Sequence, residues 1–184
     1  MVRKGFLLLA LQPAAAKPAA KEDASCRLAA RKQVPEKRNF PSGEFFTGLV
    51  EDSATGVISF DIPASFDSRS IEGVRLVFRD GKVVEASARQ GQAYLEQMLE
   101  IDAGARYLGE FAFGNNWRVN CSTRNTLFDE KMGGTVHLAL GNSYPETGGV
   151  NHSAVHWDMV CDLLRWDEVW VDDTLFLKDG EIVM

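Results

Sequence analysis

The sequence predicts an α+β domain in which mixed or antiparallel sheet dominates and helices are few. Two Asp-Gly pairs, at 80–81 and 179–180, each separate two short alternating segments, which is the strongest local signal of a β-hairpin. Segments rich in β-branched and aromatic residues recur along the chain between Gly, Pro, Asp and Ser. Only residues 91–101 carry apolar side chains at helical spacing. Strands that outnumber helices in this way indicate an α+β arrangement.

The elements can be predicted in chain order from the same signals. A domain of 39–184 is expected, because the composition turns aromatic-rich and alternating at residue 39. The segment 126–134 has no clear pattern, and 141–151 is expected to be an irregular loop because it contains Pro145 and Gly148-Gly149. The predicted elements are strands at 43–50, 56–62, 74–79 and 82–88, a helix at 91–101, and strands at 108–113, 154–160, 169–171, 174–177 and 181–183.

The first 38 residues are predicted to be a poorly ordered or non-homologous leader. They are rich in Ala, Lys and Arg and are interrupted by prolines, and the one element they could form, a helix at about 22–32, has no matching apolar stripe that would dock it. The apolar run 5–11 is far too short to span a bilayer. It follows Arg3 and Lys4 and precedes Pro13 and three alanines, so it also imitates a secretory signal peptide.

Composition restricts the classes of function. The chain has 184 residues and a net charge of -6, with a pI near 5.1, so it offers no basic stripe for nucleic acid. Cys26, Cys121 and Cys161 are odd in number and form no C-x-x-C pair, which argues against a disulfide framework or a thiolate zinc site. G-x-S-x-G, P-loop and G-x-G-x-x-G motifs are missing from the sequence, so serine hydrolase and nucleotide-binding functions lack support.

All three histidines fall within residues 137–158, and this clustering predicts a divalent metal site. His156 and Asp158 are two positions apart, so they project from the same face of a strand and can hold one cation. His137 lies in an apolar segment, where a buried hydrogen-bonded histidine is the competing interpretation. His152 follows a loop and is expected at the surface or beside a ligand.

Two glutamates stand next to aromatic residues and are further candidates. Glu44 precedes Phe45 and Phe46, and Glu110 precedes Phe111 in an apolar strand. A carboxylate in such surroundings is costly unless it faces water, is paired, or binds a metal. Both a solvated strand face and a hydrolytic metal centre fit these positions.

Two further polar positions are weaker candidates. The hydroxyl of Tyr144 is a candidate for stabilising an oxyanion. The pair Asp129-Glu130 is expected either to orient a ligand or to be merely polar.

These motifs, in this order and spacing, resemble the C-terminal catalytic half of the aminopeptidase T and aminopeptidase S family of two-metal metallopeptidases. The matching stretches are NFPSGEFFT at 39–47, GKVVEA at 81–86, LGEFA at 108–112, NTLFDE at 125–130, HLALGNSY at 137–144 and HWD at 156–158.

The resemblance implies a set of site residues and a chemistry. The family's metal ligands map to Glu44, Glu110, His137, His156 and Asp158, with Glu110 bridging two divalent ions. Glu110 and Tyr144 are the implied catalytic residues. The ions would be zinc, cobalt, manganese or magnesium, since the ligand types do not choose among them.

The resemblance also implies peptide substrates, a homodimer and a cytoplasmic location, with no nucleic-acid or membrane partner. Family members carry a further N-terminal domain that precedes the glutamate motif. The chain is therefore expected to be a truncated or domain-only form.

Three functions stay open at this point. The first is a metallo-aminopeptidase that releases N-terminal residues. The second is a catalytically weak or inactive metal-binding remnant that acts as an interaction or structural module. The third, with less support, is two-metal hydrolysis of phosphoesters or of amides other than peptides.

Overall fold

The computed structural model describes residues 6–11, 22–28, 34–35, 40–163, 168–171 and 174–183, and these residues form two antiparallel sheets. Two α helices accompany them, α1 at Gln92–Leu99 and α2 at Thr126–Asp129, with a 3-10 turn at Pro145–Thr147. The strands are β1 Phe6–Leu11, β2 Glu22–Arg27, β3 Val34–Pro35, β4 Glu44–Thr47, β5 Thr55–Phe60, β6 Ala64–Phe66, β7 Arg69–Arg79, β8 Lys82–Gln90, β9 Leu108–Gly114, β10 Thr135–Gly141, β11 His156–Asp162, β12 Glu168–Val171, β13 Thr174–Lys178 and β14 Glu181–Ile182. The predicted sheet-rich α+β class is confirmed.

The larger sheet has nine strands in the order β14-β13-β12-β1-β2-β5-β7-β6, with β8 also paired to β7. Both predicted hairpins lie in it. Arg79 pairs with Lys82 across Asp80-Gly81, and Lys178 pairs with Glu181 across Asp179-Gly180. Both residues of each turn have positive φ, the geometry in which the turn twist matches that of the strands.

The smaller sheet has the order β11-β10-β9-β4-β3, and it carries the candidate site. Its strand β10 was noted in the sequence only as an apolar segment. Every residue of β9 and of β10 is buried, so neither strand shows the polar alternation that reveals a half-exposed strand.

The hydrophobic core joins the two sheets. One face of the smaller sheet packs into it through alternate residues, including Phe111, Leu138, Trp157 and Met159. The larger sheet contributes residues such as Ile58 to the same cluster. Since successive strand residues point to opposite faces, the residues between these apolar ones must lie on the other face.

The N-terminal segment differs from the prediction where it is described. Residues 22–27 form strand β2 and not the start of a helix, and 29–33 lie outside the described residues. The apolar run read as signal-like contains β1, which pairs with β2 and with β12. Long-range pairing stabilised these strands, and local periodicity gave no information about it.

The remaining elements follow the sequence closely. The helix predicted at 91–101 is α1, and it buries Leu95, Met98 and Leu99. The segment 126–134 begins with α2, where the Asn125 side chain accepts a hydrogen bond from Leu127 N–H and caps the helix. Among the described residues, no helix is long and apolar enough to cross a membrane.

Candidate metal centre

Four adjacent strands bring the candidate ligands to one face of the smaller sheet. Glu44 lies on β4, Glu110 on β9, His137 on β10, and His156 with Asp158 on β11. The apolar neighbours of these residues point into the core on the opposite face. Strand alternation therefore explains why carboxylates stand next to phenylalanines in the sequence.

Strand register places the ligands in rows separated by small residues. Ala139 pairs with Glu110 on one side and with Asp158 on the other. Ala112 similarly pairs with His137 and with Phe46. Cross-strand neighbours lie about 5 Å apart, so the two alanines leave room above the sheet where the longer polar side chains converge.

A bulge next to Glu110 changes the course of β9 beside the site. Ala139 pairs with Glu110 but Leu140 pairs with Leu108, so Gly109 is the extra residue. A side chain at Gly109 would clash with the carbonyl oxygens of Gly141 and Asn142, at 2.4 and 2.2 Å from its Cβ. Bulges of this kind often redirect a neighbouring side chain at a functional site.

The donors form two groups that meet at Glu110 and His137. The first group is Glu44, Glu130 and His137, and the second is Glu110, His156 and Asp158; in each, the donor atoms lie within 4.8 Å of one another. His137 Nε2 lies 3.3 Å from Glu44 Oε2 and 3.3 Å from Glu110 Oε1. The other oxygen of Glu110, Oε2, lies 3.8 Å from His156 Nε2. Glu110 thus offers one oxygen to each group.

Several of these atoms are buried without a hydrogen-bond partner among the described residues. They are Glu44 Oε2, both ring nitrogens of His137, and Asp158 Oδ1. Buried polar atoms are normally paired, and an unpaired one costs about 1–3 kcal/mol. Divalent cations bind to imidazole nitrogens and carboxylate oxygens, so a cation at this site would provide the partner that these buried atoms lack.

His156 is oriented by the backbone. Its Nδ1 lies 2.8 Å from the carbonyl oxygen of Asn142, so Nδ1–H donates and Nε2 is left to face Glu110 and Asp158. The loop before His156 is anchored in turn, because Asp102 accepts hydrogen bonds from Ser153 Oγ and from Ala154 N–H. Metal-binding histidines are commonly fixed in this way through the second ring nitrogen.

Burial and the crowding of charges shift the pKa values at the site. Burial alone would lower the pKa of His137, but the carboxylates of Glu110 and Glu44 raise it to about 10. Burial, with the nearby charge of Asp158, raises the pKa of Glu130 to about 7. Burial also raises the pKa of Glu110, although His137 opposes it. The site therefore retains protons that a bound cation would displace.

Tyr144 stands at the edge of the centre with its side chain 40% exposed. Its ring lies between those of His156 and Phe46, with centroid separations of 5.0 and 5.6 Å. Burial and the surrounding carboxylates, Glu110 first among them, raise the pKa of Tyr144 to about 12. The hydroxyl keeps its proton at physiological pH, as an ordinary tyrosine does, and can donate a hydrogen bond.

The structure brings together all six residues named from the sequence, and it adds two. Glu130 joins the first donor group, and Lys131 places a fully buried ammonium between Glu44 and Glu130. The sequence analysis left two interpretations open for Glu130, a group that orients a ligand or a merely polar one, and it gave Lys131 no role. The available signal was a charged pair just before a buried strand, which solvated surfaces also produce. His152 is exposed and outside both donor groups.

Comparisons with known proteins identify the family and the fold. Residues 24–169 match the family model described as thermophilic metalloprotease (M29). The chain is 38% identical over 140 residues to aminopeptidase 2 of Geobacillus stearothermophilus, a match that covers 66% of this chain and 33% of that protein. Its fold is similar to wild-type AmpT from Thermus thermophilus, with a TM-score of 0.77 and 25% identity, covering 97% of this chain and 50% of that one. The chain thus spans about a third to a half of the length of these relatives.

A second solved structure shares the fold alone. The 2,5-dihydroxypyridine dioxygenase from Pseudomonas putida KT2440 matches with a TM-score of 0.71 and 18% identity, over 98% of this chain and 55% of that one. A common architecture does not fix a common reaction. The side chains at the site, and not the shared fold, determine the reaction.

Proposed function

The chain belongs to the thermophilic metalloprotease (M29) family, and on that premise we propose that it is the catalytic part of a metal-dependent aminopeptidase that releases N-terminal residues from peptides. The main support for the proposal is the position of the Glu110 side chain, which is buried and directs one oxygen towards each of the two donor groups. Such a carboxylate suits a centre that holds two divalent ions side by side.

Glu44 and His137, with Glu130, would hold one ion, and His156 with Asp158 would hold the other. Two bound divalent ions would polarise the scissile carbonyl and supply hydroxide near neutral pH. Zinc, cobalt, manganese and magnesium all remain compatible with imidazole and carboxylate donors. The protein's contribution is a rigid donor set on four paired strands, with His156 held by the Asn142 carbonyl.

Two of the residues have roles beyond binding the ions. Tyr144 is protonated near neutral pH, so its hydroxyl can donate a hydrogen bond to the oxygen that becomes negative during attack. Glu110, whose two oxygens face the two donor groups, is the other implied catalytic residue and would orient the attacking water. Both roles require the side chains to face the peptide from the same edge of the sheet.

The test combines metal content with substrate cleavage. Purified protein is analysed for bound metal and assayed on a panel of aminoacyl p-nitroanilides, alongside Glu110→Ala. An N-acetylated aminoacyl p-nitroanilide is the control, because an aminopeptidase needs the free amine. Bound metal with cleavage of free-amine substrates only, lost in the variant, is the expected result.

Other outcomes favour other functions. Full metal occupancy without cleavage of any aminoacyl substrate would favour the non-catalytic metal-binding module. Cleavage of bis-p-nitrophenyl phosphate in preference to the anilides would favour a phosphoesterase. A homodimer and a cytoplasmic location are further parts of the proposal, which light scattering and fractionation of expressing cells would test.

A further inference from the structure

The buried ammonium of Lys131 is the feature that the proposed chemistry does not use. The side chain is 0% exposed, and its Nζ lies 2.5 Å from Glu44 Oε1 and 2.6 Å from Glu130 Oε1. A buried charge is tolerated only when it is closely paired. Here the two partners both belong to the first donor group, so the ammonium binds to the same carboxylates that would bind a cation.

The contact with Lys131 places the two oxygens of the Glu44 carboxylate in different environments. Oε1 is held by Lys131, whereas Oε2 is buried without a hydrogen-bond partner in the described part of the chain and lies 3.3 Å from His137 Nε2. With one oxygen fixed, rotation of the carboxylate is restricted. The free oxygen is thereby kept beside the imidazole nitrogen with which it would share an ion.

The backbone around Lys131 is linked to the segments that carry the donors of the first group. It immediately precedes Met132, Gly133 and Gly134, which lead into β10 and therefore into His137. Its backbone carbonyl accepts a hydrogen bond from Asn116 N–H, and the Asn116 side-chain amide donates to the carbonyl of Ser42, two residues before Glu44. One lysine thus connects the segments that carry all three donors of the first group.

We propose that Lys131 is a positioning residue that preforms the first cation site by holding the carboxylates of Glu44 and Glu130 beside His137. The inference rests on the proposed two-ion centre and adds to it the residue that orders one half of the centre. It assigns Lys131 no contact with substrate.

A purely electrostatic role for Lys131 predicts the opposite result. If the ammonium only neutralised the carboxylates, its removal would leave more negative charge at the site and would strengthen cation binding. If it positions the carboxylates, its removal lets them move apart and weakens binding. The sign of the change therefore separates the two roles.

The experiment is a calorimetric titration of chelator-treated protein with Zn²⁺, and separately with Mn²⁺, for the wild type, Lys131→Met and Lys131→Arg. Lys178→Met is the matched control, because it removes a lysine from an exposed ion pair with Glu168. Circular dichroism spectra establish that each variant is folded. Loss of a residue that orients ligands typically weakens metal affinity about 10–100-fold.

The expected result is two equivalents in the wild type and the control, with one of the two weakened in Lys131→Met and less strongly weakened in Lys131→Arg. Equal or tighter binding by Lys131→Met would overturn the inference and leave the proposed function intact. Should Lys131→Met not fold, Lys131→Arg decides alone, because it keeps the charge and changes the geometry. Wild-type affinity in Lys131→Arg would then refute positioning, and a wild type that takes up no metal would refute both proposals.

Discussion

Replacing Glu110 by Gln is the sharpest single test of a shared carboxylate. The substitution keeps the shape of the side chain and removes its charge, while Glu110 Oε1 and Oε2 lie 3.3 and 3.8 Å from the two histidine nitrogens. Because each oxygen faces a different donor group, both metal equivalents should weaken together. A ligand that served one ion only would weaken one equivalent and spare the other.

The magnitude can be worked out from linkage. At a free metal concentration about 100 times Kd, one site stabilises the folded wild type by about 2.7 kcal/mol. For a chain of this length each kcal/mol raises Tm by about 2–4 °C, so the gain is about 5–11 °C per site. If the variant binds about 100-fold more weakly, a loss at the upper end of that seen for metal-orienting residues, the same metal concentration adds about 0.4 kcal/mol, which is about 1–2 °C.

The assay is differential scanning fluorimetry with and without added metal, backed by calorimetric titration. Glu100→Gln is the control, because the Glu100 side chain is 70% exposed and lies outside both donor groups. It should keep the full metal-dependent rise in Tm. If Glu110→Gln also kept the full rise and both equivalents, the shared-carboxylate argument would be wrong.

Three further predictions concern other parts of the site. Tyr144→Phe should keep both metal equivalents but lower kcat about 10²–10³-fold with little change in KM, as expected for loss of one oxyanion donor; an unchanged kcat in steady-state assays would contradict this role. Trp157→Ala should lower the free energy of unfolding by about 3–5 kcal/mol in urea titrations, because the indole is 1% exposed, whereas Trp117→Ala, at a position 58% exposed, should change it by less than about 0.5 kcal/mol. Because the pKa of His137 is raised to about 10 in the metal-free protein, metal binding should release protons and tighten as pH rises towards that value, and calorimetry in buffers of different ionisation enthalpy should show heats that depend on the buffer.

Local signals were enough for much of the fold. The turns at Asp80-Gly81 and Asp179-Gly180 and the helix α1 formed as expected, since positive-φ turn residues and a 3.6-residue period act over short distances. The strand β2 was not predicted, because its place between β1 and β5 is a long-range property. The strand β10 escaped assignment because both of its faces are buried, which removes the alternation that marks a strand.

The sequence identified some residues of the candidate site and missed others. The pair His156 and Asp158 is predicted from a spacing of two within one strand. Glu44, Glu110 and His137 were candidates because of their apolar neighbours, and the resemblance to a known family combined them into one ligand set. Glu130 and Lys131 could not be found in this way, since the loop after α2 brings them to the sheet through tertiary contacts. An adjacent Glu-Lys pair occurs on many solvated surfaces, so its burial had to be observed.

The same fold in a dioxygenase shows why the reaction must be argued from side chains. In this chain the sheet presents the donors on four adjacent antiparallel strands. Small residues lie beside the longer donors, since Ala139 pairs with both Glu110 and Asp158, and Ala112 pairs with His137. The donors can then converge above the alanines while Glu110 faces both groups. The proposed two-ion centre and a single-ion centre differ in the number of metal equivalents that Glu110→Gln weakens, and calorimetric titration of that variant separates the two.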